Sequence, residues 1–86
     1  MENLSDRQKK LRWHAWHRGM RELDILIGTA IDKHLEYISD DEMDMLEAFL
    51  EVDDADVWHW ITEKKPIDPQ YDNVIWQWIK DERGDI

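Results

Sequence analysis

Apolar side chains recur along this chain at intervals of three and four residues, the spacing that places them on one face of an α-helix. The clearest run lies in the first half of the chain, where most of the charged residues between the apolar positions fall on the opposite side. The pattern predicts an amphipathic helix that begins at Met20 or Glu22 and ends at about Leu35. Its apolar positions are Leu23, Leu26, Ile27, Ala30, Ile31 and Leu35.

A capping box predicts an earlier helix. Ser5 precedes Gln8 by three residues, the arrangement in which each side chain accepts a hydrogen bond from the other residue's backbone N–H. We therefore predict a helix from about Asp6 to Trp16. Its apolar face holds Leu11, Ala15 and Trp16.

A second capping box, formed by Ser39 and Glu42, predicts a third helix that ends near Glu51. Asp40 and Asp41 lie in its first turn, where the helix dipole favours negative charge. The buried stripe of this helix is Met43, Leu46, Phe49 and Leu50.

Two shorter helices are predicted in the rest of the chain. Asp53 and Asp56 mark the start of the fourth, which must stop before Pro66 because the residue before a proline disfavours the helical conformation. Asp68 followed by Pro69 is an N-cap with proline at the first helical position, and it predicts the start of the fifth. The apolar positions are Val57, Trp60 and Ile61 in the fourth helix and Tyr71, Val74, Ile75, Trp78 and Ile79 in the fifth.

The predicted fold is therefore all-α, a compact five-helix bundle. Only three glycines and two prolines interrupt the 86 residues, and there is no internal repeat or low-complexity segment. We expect a single domain over residues 1–86, with residues 83–86 as a frayed tail.

The composition and charge of the chain exclude several classes of function. A chain of 10.5 kDa is too small for a two-domain enzyme with its own cofactor fold, and the absence of cysteine removes disulfides and thiol nucleophiles. The first 21 residues hold six basic and two acidic side chains, a net charge of +4, whereas the other 65 hold five and 19, a net charge of -14. This charge disfavours binding to nucleic acid and to anionic membranes.

No segment is predicted to enter a membrane. The longest nearly apolar run, residues 25–31, is too short to span a bilayer, and the chain does not open with the apolar region of a signal peptide. We expect a soluble protein that is not exported.

The six tryptophans lie in three close pairs: Trp13/Trp16, Trp58/Trp60 and Trp76/Trp78. Trp60 and Trp78 fit the apolar stripes and are predicted to lie in the core. Trp13, Trp58 and Trp76 fit less well, which makes them candidates for a partner-binding surface, where tryptophan is a favoured anchor.

No catalytic or metal site is expected. His14 and His17 have the spacing of two zinc ligands on one helical face, but the arginines around them would repel a cation. The acidic segments 40–42 and 53–56 lack the glycine and the ligand spacing of a calcium loop, and helix capping explains them. The chain also lacks a phosphate-binding glycine loop and a nucleophile elbow, so it is not predicted to be an enzyme.

The segment Arg18-Gly19-Met20-Arg21-Glu22-Leu23-Asp24 offers the strongest candidate site. Gly19 lies between two predicted helices, where a positive φ or the close approach of another backbone requires glycine. Arg18 and Glu22 are four residues apart. They form an ion pair with each other in one interpretation and contact a polar partner surface in the other.

These residues resemble the R-G-x-x-E signature of the SdhE family, the bacterial FAD assembly factors related to the mitochondrial succinate dehydrogenase assembly factor. The resemblance extends along nearly the whole chain. Phe49-Leu50-Glu51 followed by Asp53, Asp56 and Trp60 is similar to the family's segment between the third and fourth helices.

The resemblance implies a five-helix bundle that binds the flavoprotein subunit of succinate dehydrogenase, and of fumarate reductase as a further client. It implies that the bundle promotes covalent attachment of FAD to a histidine of that subunit. The signature positions are Arg18, Gly19 and Glu22, and we place Met20, Arg21 and Asp24 at the same partner-binding surface.

FAD is then the cofactor of the client, and the chain itself is expected to hold none stably. We expect it to act as a monomer in the bacterial cytoplasm. The alternative function is that of an antitoxin-like regulatory module that binds another protein, since members of the family are also described as opposing a membrane toxin.

Overall fold

The structure, a computed structural model, describes residues 3–84. Within these residues the chain forms five α-helices and two short 3₁₀ helices and has no strand, so the all-α prediction is confirmed. The α-helices are α1 (Asp6–Trp16), α2 (Arg21–Asp32), α3 (Asp40–Leu50), α4 (Asp54–Ile61) and α5 (Val74–Arg83). The 3₁₀ helices are Leu35–Tyr37 and Pro69–Tyr71.

Both predicted capping boxes are present, and they start α1 and α3. The Ser5 hydroxyl accepts a hydrogen bond from the Gln8 backbone N–H at 3.1 Å, and the Gln8 side chain accepts one from the Ser5 N–H at 2.6 Å. Ser39 and Glu42 make the same two bonds, at 3.1 and 2.9 Å. These starts depend only on neighbouring residues, which explains why the sequence predicts them.

The end predicted for α2 is wrong by three residues, because the helix stops at Asp32. The His34 N–H donates to the Ile31 carbonyl at 3.0 Å, a bond three residues long that tightens the turn, and a 3₁₀ helix follows. Leu35 is nevertheless fully buried. The apolar spacing therefore continues beyond the α-helix and makes it look longer than it is.

The predicted start of α5 is also wrong. Asp68 caps the short 3₁₀ helix, accepting from the Gln70 N–H at 3.1 Å. α5 begins at Val74 after Asn73, whose side chain accepts from the Ile75 N–H at 3.0 Å. Two helix-start signals lie within six residues of each other, and the α-helix uses the second.

Arg83 is the last residue of α5, so the predicted frayed tail does not include it. Its Nη1 donates to the Ile61 carbonyl at 2.9 Å, and this bond ties the end of α5 to the end of α4. Gly84 is the C-cap of the helix, and its N–H donates to the Lys80 carbonyl at 3.0 Å. The remaining residues of that prediction, Asp85 and Ile86, lie outside the described residues.

Buried apolar side chains from all five helices form one core. At one end Phe49 lies within 6.4 Å, between ring centroids, of the rings of Trp60, Tyr71 and Trp76. The core position predicted for Trp60 is confirmed, since it is 8% exposed. Trp76 is 5% exposed and also belongs to the core, contrary to prediction.

Trp78, predicted to lie in the core, is only half-buried and stacks on His34 with ring centroids 4.1 Å apart. The prediction assumes that Tyr71 and Val74 belong to the same helical stripe as Trp78. With Tyr71 outside α5, the buried face of that helix is Ile75, Trp76 and Ile79.

The first two helices pack closely through a glycine. A Cβ atom on Gly28 would lie 2.3 Å from Cδ2 of Trp16, so the indole ring rests on the backbone of α2 where a side chain would otherwise stand. Trp16 Nε1 also donates to Asp32 Oδ2 at 3.3 Å, and Arg12 Nε donates to Asp32 Oδ1 at 2.9 Å. These contacts hold α1 against α2.

Arg7 connects α1 to α3. Its Nη2 lies 2.5 Å from Asp44 Oδ1 and 2.9 Å from Glu47 Oε2. The hydrogen bonds to Asp44 and to Glu47 raise the pKa of Arg7.

Within residues 3–84, no helix is long and apolar enough to cross a membrane.

Candidate functional site

Residues 18–24 form the corner between α1 and α2. The side chain of Arg18 lies inside the protein at this corner. It is 4% exposed. Its Nε donates to Asp54 Oδ1 at 2.9 Å, Nη1 donates to the Leu50 carbonyl at 3.0 Å, and Nη2 donates to the Val52 carbonyl. The guanidinium thus joins this corner to the end of α3 and the first residue of α4.

Arg18 pairs with Asp54 and not with Glu22, so the ion pair between Arg18 and Glu22 considered from the sequence does not form. A guanidinium suits this position because its planar fork of N–H groups reaches several acceptors at once, which a lysine ammonium on its flexible stem does not. Its charge is compensated by a carboxylate and two carbonyl oxygens, as a buried charge requires.

Gly19 has φ of 112°, a backbone conformation that residues with a Cβ atom rarely adopt. A Cβ atom there would lie 3.7 Å from Asp54 Oδ2, an ordinary contact distance. The backbone conformation, and not a lack of space, is therefore what requires glycine. This confirms the positive φ expected at the helix-to-helix turn.

Asp24 supports the corner from α2. Its Oδ1 accepts from the Arg18 backbone N–H at 2.7 Å, and its own N–H donates to the Met20 carbonyl at 2.9 Å in the first turn of the helix. Asp24 is half-buried, and Met20 packs against the core. Both side chains thus take part in the internal structure of the corner.

The side chains of Arg21 and Glu22, by contrast, face solvent. They are the first two residues of α2, and both are exposed. Neither side chain forms a hydrogen bond or ion pair with any residue in the range 3–84. Ile25, one turn further along the same helix, is 51% exposed. The corner therefore presents a cation, an anion and an apolar side chain to solvent.

The structure brings the six predicted site residues together and divides them into two groups. The side chains of Arg18, Met20 and Asp24 face inward and hold the corner, whereas Gly19, Arg21 and Glu22 are exposed. A direct contact of these residues with a partner stays a prediction.

Asp54 is the residue that sequence reasoning missed. The sequence predicts a helix-capping role for its acidic neighbours Asp53 and Asp56, but the Asp53 side chain makes no capping hydrogen bond. The carboxylate that matters for the corner belongs to Asp54, 36 residues from Arg18. No local pattern distinguishes Asp54 within this acidic segment.

The histidines of α1 are arranged around Trp13. The His17 ring stacks on the Trp13 ring with centroids 4.3 Å apart and planes 12° apart, and His17 Nδ1 lies 2.7 Å from the Trp13 carbonyl oxygen. Among the described residues there is no group of three or more histidine or carboxylate side chains placed to hold a metal ion.

Comparison with known proteins identifies related sequences over most of the chain. The model of the family described as "Flavinator of succinate dehydrogenase" (Sdh5) matches residues 9–83, which include the whole corner. Two curated relatives are "Succinate dehydrogenase assembly factor 2, mitochondrial" of Drosophila virilis and the 2-B form of Drosophila persimilis. They are 33% and 35% identical to this chain over 81 residues, which are 92% of the chain.

The 2-B form of Drosophila melanogaster is 30% identical over 82 residues, which are 93% of the chain. The chain spans about half the length of these curated relatives, between 51% and 53%. No solved structure matches it.

Proposed function

This chain belongs to the Sdh5 family of succinate dehydrogenase flavinators, and on that premise we propose that it binds the flavoprotein subunit of succinate dehydrogenase and promotes covalent attachment of FAD to it. The corner between α1 and α2 is the docking site in this proposal. The family match includes all of its residues, and the curated relatives are named for the assembly of the same enzyme.

The main observation behind the proposal is that two exposed charged residues lie next to a turn that a buried ion pair holds in place. Arg21 and Glu22 have no partner within residues 3–84, yet the turn beside them is held by the buried Arg18 and its bond to Asp54. A turn held in one backbone conformation loses little backbone entropy when it binds, and the exposed charged groups beside it can form charge-assisted hydrogen bonds with a complementary surface. The corner therefore suits recognition of a polar surface.

Each residue has a separate role in the proposal. Arg21 and Glu22 donate and accept charge-assisted hydrogen bonds across the interface. Gly19 leaves the turn without a side chain, so that the backbone of the client approaches closely. Arg18 acts as a positioning residue, because its side chain is buried and donates three hydrogen bonds within the chain.

The client supplies the chemistry. Attachment of FAD requires the flavin and the acceptor histidine to be held next to each other, and positioning of reactants is a large source of rate acceleration. A protein that binds one client conformation more tightly than the others raises the population of that conformation. We propose that this chain favours the conformation in which the cofactor and the histidine are adjacent, with no turnover and no stably bound FAD of its own.

Further parts of the proposal rest on the family resemblance. Residues 1–86 act as one domain and as a monomer in the bacterial cytoplasm, and fumarate reductase provides a second flavoprotein client. The antitoxin-like alternative rests on the same resemblance. It predicts that the chain has no affinity for a flavoprotein subunit, so one binding experiment distinguishes the two functions.

That experiment measures binding of the purified flavoprotein subunit and the in-gel fluorescence of its covalent flavin, with the unaltered chain and with Glu22→Ala. We expect the unaltered chain to bind and Glu22→Ala to weaken binding at least tenfold, because an interfacial anion is lost. Asp41→Ala is the matched control, since Asp41 is also the exposed second residue of an α-helix and has no partner within the described residues.

If the corner is the docking site, Asp41→Ala should bind the flavoprotein subunit as tightly as the unaltered chain does. Failure of the unaltered chain to bind the subunit would contradict the assembly function. Equal affinity of Glu22→Ala and the unaltered chain would contradict the placement of the site at the corner.

A further inference from the structure

Trp13 is the most exposed tryptophan among those of the chain. It is 60% exposed, whereas Trp60 and Trp76 are buried and the other three are half-buried. It lies on α1, between Arg12 and His14 in the sequence, and neither the core nor the corner uses its ring. A large exposed indole is a candidate anchor for a partner protein.

The indole of Trp13 is held in place by His17. The two rings stack with centroids 4.3 Å apart, and His17 Nδ1–H donates to the Trp13 carbonyl oxygen at 2.7 Å. His17 is therefore fixed by the backbone of α1 and in turn supports the face of the indole. An aromatic ring restrained in this way before binding loses little entropy when a partner covers it.

The rings of Trp13 and His17 form one side of a groove with a volume of about 570 Å³. We call it the aromatic groove, and its lining residues are Leu4, Lys9, Arg12, Trp13, Trp16 and His17. Trp16 is fixed there because its ring rests on Gly28. Two tryptophans and a leucine thus give the groove an apolar surface with little freedom to rearrange.

The aromatic groove has a positive rim. Asp32 accepts from Trp16 Nε1 in the groove, and its charge is compensated by Arg12. Lys9 has no carboxylate partner within residues 3–84 and is exposed. The net positive charge at the groove is therefore that of Lys9, in a chain whose net charge is -10.

The groove is continuous with the corner through His17. This residue directly precedes Arg18, and it lines both the aromatic groove and a smaller cleft of about 200 Å³ beside Arg18 and Asp54. A partner seated on the corner can therefore extend over Trp13 without crossing another element.

We propose that the aromatic groove is a second docking site for the flavoprotein subunit and that it takes an acidic segment of that subunit bearing an apolar side chain. The inference rests on the proposed function. The apolar side chain packs on Trp13, and the acidic group pairs with Lys9. Trp is among the residues that most often anchor protein interfaces, and opposite charges at the rim raise the association rate.

The test compares Trp13→Ala with Tyr37→Ala in titrations of the purified flavoprotein subunit. Tyr37 is the matched control because it is an aromatic residue, 88% exposed, in the segment between α2 and α3. We expect Trp13→Ala to raise Kd by about tenfold or more, the usual effect of removing an aromatic anchor. Tyr37→Ala should leave Kd unchanged.

Lys9→Glu tests the charge of the partner, with Lys65→Glu as its control, since both lysines are exposed and have no side-chain partner within residues 3–84. We expect Lys9→Glu to weaken binding several-fold at low salt. The difference from the unaltered chain should shrink as salt is added, because ions screen exposed charges. Lys65→Glu should have a smaller effect.

The outcomes separate this inference from the proposed function. If the unaltered chain binds the subunit and Trp13→Ala binds it equally well, the second docking site is wrong and the assembly function stands. If Trp13→Ala changes only self-association in analytical ultracentrifugation, the groove takes a second copy of this chain and the inference is overturned. If the unaltered chain does not bind the subunit, the proposed function fails and this inference fails with it.

Discussion

Arg18 Nε lies 2.9 Å from Asp54 Oδ1, although the two residues are 36 positions apart in the sequence. Asp54 also lies next to Gly19. Its Oδ2 would be 3.7 Å from a Cβ atom placed on that glycine. One carboxylate at the start of α4 thus binds Arg18 and lies beside Gly19. The shape of the candidate docking site therefore depends on a contact between distant parts of the chain.

Asp54→Asn tests this dependence. The substitution keeps three oxygen acceptors for the buried guanidinium of Arg18, namely the new amide oxygen and the two backbone carbonyls, but removes the compensating negative charge. Asp54 is itself partly exposed, so we expect the free energy of unfolding in urea to fall by about 1–3 kcal/mol. Asp53→Asn is the control, because the Asp53 side chain is exposed and makes no capping bond. Equal effects of the two substitutions would argue against the role assigned to Asp54.

Gly19→Ala should destabilise the protein through the backbone alone. At φ of 112° a Cβ atom is strained, and such strain costs about 1–3 kcal/mol. Differential scanning calorimetry measures the effect as a lower Tm. If alanine is accepted without loss, the backbone of the corner is free to change its conformation, and the rigid docking site is wrong.

Gly28→Ala should destabilise the protein for a different reason. The new methyl group would meet the Trp16 ring at 2.3 Å, and overpacking of this kind costs about 1–3 kcal/mol. A smaller residue at position 16 should remove the clash, so Trp16→Leu combined with Gly28→Ala should be less destabilising than the sum of the single effects. A double-mutant cycle measures this coupling. Additive effects would show that the ring and the glycine do not contact each other.

The tryptophans of α5 should differ strongly in their contribution to stability. Trp76→Ala removes a buried ring that packs on Phe49 and Trp60, and we expect it to cost about 3–5 kcal/mol. Trp78→Ala removes a half-buried ring that stacks on His34, so its cost should be clearly smaller. Denaturation in urea measures both. The reverse order would support the core position that the sequence predicted for Trp78.

The features that the sequence predicted correctly depend on residues close to one another. The capping boxes of α1 and α3 involve residues three positions apart, and each forms as expected. The positive φ at Gly19 also follows from a local requirement, a tight turn between two helices. Hydrogen bonds between residues close in sequence form in the same way wherever the helix lies in the fold.

The predictions that failed depend on which face of an element meets the core. Asp68 and Asn73 are both good N-caps, and neither residue alone decides which of them begins α5. Within α5, Trp76 is buried and Trp78 is half-buried, which depends on the face that this helix turns to the core. The end of α2 was wrong for a related reason, since Leu35 is buried by packing even though it lies outside the α-helix.

The amino-acid sequence was sufficient for the helical class, for the capped starts of α1 and α3 and for the positive φ at Gly19, whereas the partner-binding role of residues 18–24 stays a prediction. Those properties follow from hydrophobic periodicity and from side chains that bond to their neighbours. The tertiary fold assigns Arg18 to the interior, selects Asp54 as its partner and leaves Arg21, Glu22 and Trp13 exposed. Burial and ion pairing between residues far apart depend on how the helices pack, and no local pattern in the chain encodes that packing.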